Sequence, residues 1–310
     1  MEFLLLILCV AGLWIGSELT IDSALKIAKR HSLSEFFVGL AILSVGSDLP
    51  ELAIAIYGGI QNYLGGQVSD IIVGASLGSV AGQTGFVLGI SGLVGYLTLP
   101  KRFIYRHGAV LLGALIILFL ASLDGIVNRT EGITLITLYL VYVMSLLRVE
   151  TAQAVETEPK TRLRFSPWLL VALGVCIIVG SSELTVNSVV ILANQFNISK
   201  AFISVVIIGL GSSLPELTIS VSAIMKKQTR LSVGNIIGSN VLDTLLPIGI
   251  AATISPIAFA REFRMFDLPY IFFLTLVTLF LFIRVRGLQR REAGIILGLY
   301  LVYLAVRYLQ

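Results

Sequence analysis

The chain has 310 residues, of which 56% are hydrophobic and only 13% are charged. Soluble domains carry about 25% charged residues, so this composition excludes an ordinary water-soluble protein and indicates one that crosses a membrane several times. The net charge is +4, and because its basic residues are spread over short connections between apolar segments, it does not indicate a nucleic-acid partner.

A helix needs about 20 apolar residues to cross about 30 Å of hydrocarbon, and ten segments of the chain have that character. They predict an all-α polytopic membrane protein with spans at about 3–26, 34–58, 69–93, 104–123, 131–149, 167–193, 199–224, 231–255, 267–284 and 292–309. The long polar connection at 150–166 divides the chain into two halves of five helices, 1–149 and 167–310. We interpret this connection as a cytoplasmic linker, too short for a regulatory domain.

The basic residues also predict the orientation of these spans, because Lys and Arg collect in cytoplasmic connections. If the N-terminus lies outside, seventeen of the 22 Lys and Arg fall in inside connections and five fall outside. We therefore expect both termini outside. We also expect the protein to be a monomer in the lipid bilayer of the cell membrane.

The two halves of the sequence repeat. The segment Gly16–Ser23 matches Ser181–Ser188 at an offset of 165, and Gly46–Leu52 matches Gly211–Leu217 at the same offset. An odd number of helices in each half means that the two copies face opposite ways across the membrane. Inverted repeats of this kind are a transporter architecture in which broken helices meet at a midplane site.

Each half carries a proline followed directly by a glutamate within its second span, Pro50–Glu51 and Pro215–Glu216. Proline removes a backbone hydrogen bond and leaves a carbonyl free. Carboxylates, hydroxyls and free carbonyls are the ligands of hard cations, and acids inside membrane spans usually mark ion paths. The pattern therefore predicts a cation site around Glu51 and Glu216.

The next span of each half adds a polar face. Ser79 and Gln83 lie in the third span, and Ser239 and Asp243 lie in the eighth at an offset of 160. Residues four apart share a helix face, so each pair points the same way. We expect helices 2, 3, 7 and 8 to form the central ion-binding core.

These motifs resemble the sodium/calcium exchanger family of the cation/calcium exchanger superfamily, over nearly the whole chain. Gly211–Glu216 resembles the family's G-[TS]-S-L-P-E, and Gly234–Asn240 resembles its G-N-x-x-G-S-N. The resemblance implies an antiporter without a cofactor, not an enzyme, which exchanges calcium for sodium by alternating access.

The resemblance also implies a ligand set. It assigns Glu51 and Glu216 as central calcium ligands and shared sodium ligands, with hydroxyl or carbonyl oxygens from Ser47 and Ser212. It places Ser79, Ser213, Ser239 and the carbonyls of Ser44 and Gly209 at flanking sodium sites, and Gln83 and Asp243 where the family keeps an amide or acid. Two ionised glutamates balance one calcium or two sodium ions, and a third sodium ion would need Asp243 or Asp48.

The first half departs from the family pattern. Asp48 replaces a serine, Ala75 and Val80 replace asparagines, and Gln83 is longer than the asparagine often found there. We hypothesise that Asp48 either adds a cation ligand or carries a proton. Calcium/proton exchange therefore stays open as the alternative. A cation channel is less favoured, because inverted broken helices with a midplane site argue against an open pore.

Three further acids lie within spans, Glu18 and Asp22 in the first and Glu183 in the sixth. We expect them to be solvated at helix ends or to line a vestibule rather than to bind ions. They are expected nearer the outer end of the first span and the inner end of the sixth, in helices that move during transport.

The histidines and cysteines give no indication of an enzyme. His31 and His107 lie beside basic clusters at predicted inner helix ends, which indicates a surface setting. Cys9 and Cys176 lie in apolar runs, where they are expected to be small core residues.

Overall fold

A computed structural model describes residues 2–31, 33–151, 166–195, 211 and 213–309, and it confirms an all-α polytopic fold. The helices are α1 Glu2–His31, α2 Glu35–Ser47, α3 Leu49–Tyr63, α4 Ser69–Val94, α5 Lys101–Ala121, α6 Arg129–Thr151, α7 Pro167–Gln195, α8 Leu214–Met225, α9 Thr229–Ile254, α10 Phe263–Val285 and α11 Arg290–Leu309. Two short strands, β1 Ile126–Val127 and β2 Ile257–Ala258, lie in the connections between helices.

Five of the described helices are long and apolar enough to cross a membrane by themselves, namely α4, α5, α6, α9 and α10. The bent pair α2 and α3 makes a sixth span, and Pro167–Ser181 and α8 are shorter apolar helices. Residues 196–210 lie outside the described part of the chain, so the count of ten spans stays a prediction.

Helix α9 is the centre of the fold, because it contacts α2, α3, α4, α5, α6 and α8. Glycines permit a backbone-to-backbone contact between α9 and α2. A Cβ added to Gly238 would lie 2.8 Å from the Cα of Leu40, and one added to Gly39 would lie 2.9 Å from the backbone nitrogen of Asn235. Small residues allow such close approach between membrane helices. The contact holds α2 beside α9, and α2 ends at Ser47, directly before the helix break.

Helices α1 and α7 form a second tight pair. A Cβ on Gly16 would lie 3.0 Å from the carbonyl oxygen of Gly174, and one on Gly174 would lie 2.9 Å from that of Gly16. Their apolar residues join α2 and α8 in a core cluster that is distinct from the main one around α9. The pair is therefore a packed unit at the side of the protein.

Contacts between connections show which of them share a side of the membrane. β1 pairs with β2 through Ile126 and Ala258, which brings the α5–α6 and α9–α10 connections together. Leu97 bridges to Leu288, which brings the α4–α5 and α10–α11 connections together. Both pairings agree with the predicted alternation of inside and outside connections.

Candidate cation site

Each proline motif lies in the first turn of a helix. Asp48 separates α2 from α3 with φ −88° and ψ 9°, and the two helix axes bend by 48°. Ser213 precedes α8 with nearly the same angles, φ −93° and ψ 5°. Proline is tolerated in a first helical turn because its missing N–H would have no partner there. The breaks place Glu51 and Glu216 in the first turns of α3 and α8, where the helix dipole favours negative charge.

Four carboxyl groups collect at these breaks. Glu51 is 2% exposed, and Asp48, Glu216 and Asp243 are fully buried. Each of the four interacts electrostatically with the other three. Among the described residues, no Lys or Arg lies within ion-pair distance of any of them. Buried carboxylates without a counter-charge are unfavourable, so this arrangement requires bound cations or protons.

Gln83 connects the two halves of the site. Its Nε2 donates to Asp243 Oδ2 at 2.8 Å and to Ser79 Oγ at 3.0 Å, which bridges α4 to α9. It is also the first residue of a π-helical turn, Gln83–Val87, within α4. Such turns often occur at functional sites, because they re-aim side chains within a helix. Gln83 therefore holds the Asp243 carboxylate in a fixed position.

Many oxygens of the site have no hydrogen-bond donor among the described residues. They are both carboxylate oxygens of Glu51 and of Glu216, Asp48 Oδ2, Asp243 Oδ1, Gln83 Oε1, and the hydroxyls of Ser213 and Ser239. Buried polar atoms are nearly always hydrogen-bonded in folded proteins. Unpaired carboxylate, amide and hydroxyl oxygens in this number are the ligand set that Na⁺ and Ca²⁺ prefer.

The serines of the first motif are engaged with one another. Ser47 Oγ donates to the carbonyl of Ser44 at 3.2 Å and lies 3.4 Å from Asp48 Oδ1. The Ser44 carbonyl also accepts the backbone N–H of Asp48 at 3.0 Å. The predicted ligand role of the Ser44 carbonyl therefore requires the Ser47 hydroxyl to turn towards the ion.

The structure places most of the predicted ligands on the helices around this cluster: Ser44, Ser47, Asp48, Glu51, Ser79, Gln83, Ser213, Glu216, Ser239 and Asp243, all of them buried. Ser212 and Gly209 lie outside the described residues. In the described chain, no three Asp, Glu, His or Cys side chains converge closely enough for a preformed metal centre. Hydroxyls, carbonyls and the Gln83 amide must therefore complete any coordination shell, and the ligand assignments stay predictions.

Two tyrosines beside the site were not among the residues predicted from the sequence. Tyr139 interacts electrostatically with Asp48 and Asp243. The Tyr300 hydroxyl and Ser213 Oγ both lie within 4 Å of where a Cβ on Gly82 would be. The pentapeptide Leu-Tyr-Leu-Val-Tyr occurs at 138–142 and again at 299–303, and this identical repeat is the signal that indicates both tyrosines.

His107 is buried, so the expectation of a surface setting is wrong for it. Its Nδ1 lies 2.8 Å from the Tyr142 hydroxyl on α6, and only 1% of its surface is exposed. The neighbouring Arg106 points elsewhere, to Ser145. A basic neighbour in sequence therefore does not show which face of the helix a histidine occupies. Cys176 is exposed on α7, whereas Cys9 is buried as expected.

Glu18 and Asp22 lie at the same end of the molecule as Lys226. Lys226 Nζ is 2.8 Å from Glu18 Oε2 and 2.6 Å from Asp22 Oδ1. The expectation that these acids lie nearer the outer end of the first span is therefore wrong, because Lys226 follows α8 on the side predicted to be inside. Helix α1 extends to His31, which leaves both acids in its second half.

The two repeats differ in how their proline-started helices are covered. On α8, Ile219 is fully buried, and Ser222 Oγ lies 2.8 Å from Ser17 Oγ of α1. On α3, the equivalents at the offset of 165 are Ile54, which is 38% exposed, and Tyr57, which is 66% exposed. Helix α8 is thus covered by α1, and the equivalent face of α3 is more exposed.

Comparisons with known proteins agree with these features. A model of the family described as sodium/calcium exchanger protein matches residues 1–148 and 166–309. The chain is 26% identical over 329 residues to the inner membrane protein YrbG of Escherichia coli (strain K12), covering 98% of each chain. It is 24% identical over 350 residues to the sodium/calcium exchanger MaX1 of Methanosarcina acetivorans, covering 99% of this chain and 98% of the relative. The solved structure of the sodium-calcium exchanger NCX_Mj soaked with 10 mM Na⁺ and zero Ca²⁺ has the same fold, with a TM-score of 0.83, 22% identity and 98% coverage of both chains.

Proposed function

The chain belongs to the sodium/calcium exchanger protein family, and from this premise we propose that it is a secondary active antiporter that moves calcium against sodium across the cell membrane. The observation that carries the proposal is the buried cluster of four carboxyl groups at two proline-broken helices. Its relatives are exchangers and transporters rather than enzymes. The chain itself is an integral membrane protein whose transported ions are substrates, not cofactors.

We assign the central role to Glu51 and Glu216, which provide the two charges that one calcium ion or two sodium ions neutralise. Gln83 and Asp243 bridge the repeats beside them at 2.8 Å. Hydroxyls or carbonyls of Ser47 and Ser212 complete the calcium shell in this proposal. The flanking sodium sites take oxygens from Ser44, Ser79, Gly209, Ser213 and Ser239.

Exchange follows from the charge of the site. Moving uncompensated carboxylates through a closed, dry state is costly, so the empty transporter should change state slowly. Either calcium or sodium removes this cost when it binds. A ligand shifts a conformational equilibrium only through its different affinities for the two states, and here the closed state is the one that needs the cation.

The unequal covering of α3 and α8 supports alternating access between two inverted repeats, 1–149 and 167–310. Ile219 is fully buried while its equivalent Ile54 is 38% exposed. If the repeats exchange these arrangements, the site opens on the opposite side. If both termini lie outside, as the basic residues predict, the side covered by α1 is the cytoplasmic one in this proposal.

Calcium flux in proteoliposomes tests the proposal. The purified protein is reconstituted, and ⁴⁵Ca²⁺ uptake is compared under an outward sodium gradient, an imposed pH gradient and no gradient. We expect uptake with the sodium gradient only. Uptake that needs no counter-ion would instead indicate a channel and would overturn the antiporter proposal.

Calcium/proton exchange is the second candidate, and a specific observation favours it. Asp48 adds a fourth buried carboxyl group where the family pattern has a serine, and its Oδ2 has no donor among the described residues. A carboxyl group with one unpaired oxygen can take either a cation or a proton there. Uptake driven by the pH gradient alone would select this candidate.

Replacing Asp48 tests which ion it serves. We expect Asp48→Ser to weaken the sodium dependence of calcium uptake, lowering the Hill coefficient for sodium, because the site loses one negative charge that a monovalent ion would balance. Asp70→Asn removes the same charge from an exposed residue outside the site and should keep the wild-type coefficient. An unchanged coefficient in Asp48→Ser would show that Asp48 binds no transported sodium ion.

A further inference from the structure

One cluster outside the ion site joins the α1–α7 pair to α8. Lys226 Nζ contacts Glu18 Oε2 at 2.8 Å and Asp22 Oδ1 at 2.6 Å, and one turn away Ser17 Oγ lies 2.8 Å from Ser222 Oγ. We refer to these five residues as the Lys226 latch. They connect the surface of the α1–α7 unit to the C-terminal end of α8, the helix that begins at Glu216.

The latch lies between α1 and α8, and these helices must separate if the cation site is to open on the Lys226 side. Helix α8 is covered there by α1, whereas the equivalent face of α3 is more exposed, with Tyr57 66% exposed. Because α1 and α7 approach each other through Gly16 and Gly174, they are expected to move together. Any movement of this pair away from α8 breaks all three contacts of the latch.

The sequence provides the latch in one repeat only. At the offset of 165, Lys226 corresponds to Gln61, Asp22 to Asn187, and Ser222 to Tyr57. Glu18 keeps its acid at Glu183, but the other repeat has no ammonium group at the equivalent position. The latch contacts can therefore form in only one of the two closed states, and they favour that state.

We propose that the Lys226 latch is a conformational device that biases the transporter towards the state closed on the Lys226 side, and so makes its apparent calcium affinity different on the two faces of the membrane. This inference rests on the proposed exchange by alternating access. The side chains of Lys226, Glu18 and Asp22 are 22%, 43% and 53% exposed. Exposed ion pairs are weak, so the bias should be about two- to fivefold rather than an absolute lock.

The test measures half-saturating calcium from each face, in sealed vesicles of right-side-out and inside-out orientation. Lys226→Gln introduces the amide that the other repeat has at the equivalent position, Gln61. We expect its half-saturating concentration to fall about threefold on the Lys226 face and not to fall on the opposite face, because the state open on the Lys226 side gains population. Lys226→Arg should keep the wild-type values.

Three further variants distinguish a conformational role of the Lys226 latch from a purely structural one. Lys227→Gln removes the same charge from the same end of α8 and should keep the wild-type values. The double variant Glu18→Gln/Asp22→Asn should reproduce the shift of Lys226→Gln, and combining all three changes should add nothing, because all act through one contact. A loss of folded protein would lower the maximal rate without changing the two faces differently.

A cross-link gives an independent measurement. In a chain with Cys9→Ala and Cys176→Ala, the pair Ser17→Cys/Ser222→Cys replaces two hydroxyl oxygens that lie 2.8 Å apart, close enough for a disulfide of about 2.05 Å. Oxidation should stop exchange and reduction should restore it. Full exchange by the oxidised, cross-linked protein, or wild-type half-saturation of Lys226→Gln on both faces, would overturn the latch while leaving the exchanger intact. Absence of calcium transport in the wild type would instead overturn the proposed function.

Discussion

Glu51→Gln and Glu216→Gln are each expected to abolish calcium uptake. Each glutamate is buried, and neither carboxylate has a donor among the described residues. The amide keeps the shape but removes one of the two charges that balance calcium. We expect a loss of at least about 100-fold in sodium-driven uptake, or about 3 kcal/mol of binding free energy.

The fold should survive both changes. Replacing a buried, uncompensated carboxylate by a neutral amide removes an unfavourable charge, so the thermal unfolding midpoint without calcium should stay the same or rise. Calcium should stabilise the wild type but neither variant. The exposed Glu262, changed to Gln, is the matched control and should transport normally. Full uptake by either buried-site variant would refute the assignment of the site.

Gly238→Ala is expected to damage the folded transporter, while Gly78→Ala is expected to be tolerated. The two glycines are equivalent at the offset of 160. A Cβ on Gly238 would lie 2.8 Å from the Leu40 Cα, whereas a Cβ on Gly78 would have no neighbour within 4 Å. Backbone atoms cannot turn aside as a side chain can, so α2 and α9 must separate. Overpacking of this kind costs about 1–3 kcal/mol.

The measurements are thermal unfolding of the purified protein in detergent and sodium-driven calcium uptake. Gly238→Ala should unfold at a lower temperature. It should also lose uptake, because α2 ends at Ser47, directly before the helix break at the cation site. Gly78→Ala should match the wild type in both. Equal stability of the two variants would show that the contact between α2 and α9 is looser than the structure has it.

The sequence predicted the parts of the fold that depend on local pattern. Apolar length predicted the spans, and the repeated proline and glutamate predicted where helices start anew. Both follow from local physical chemistry: Pro50 and Pro215 lack the N–H that an interior helical position needs, and a first helical turn does not need it. The spacing of Ser79 and Gln83, and of Ser239 and Asp243, likewise predicted shared faces.

Features that depend on tertiary contact could not be predicted in the same way. The π-helical turn at Gln83–Val87 has no sequence rule, and it determines where Gln83 points. The burial of His107 depends on Tyr142 of a neighbouring helix. The contact of Lys226 with Glu18 and Asp22 joins residues more than 200 positions apart. Such pairs become visible only once the helices are packed.

The central claim is that calcium and sodium compete for one set of buried oxygens, and equilibrium binding tests it most directly. Binding of ⁴⁵Ca²⁺ to the purified protein is measured at increasing sodium concentrations, with Glu216→Gln as the control for unspecific binding. We predict that sodium raises the apparent dissociation constant for calcium without changing the number of calcium ions bound at saturation. Sodium that leaves calcium affinity unchanged, or calcium that binds equally well to Glu216→Gln, would contradict it.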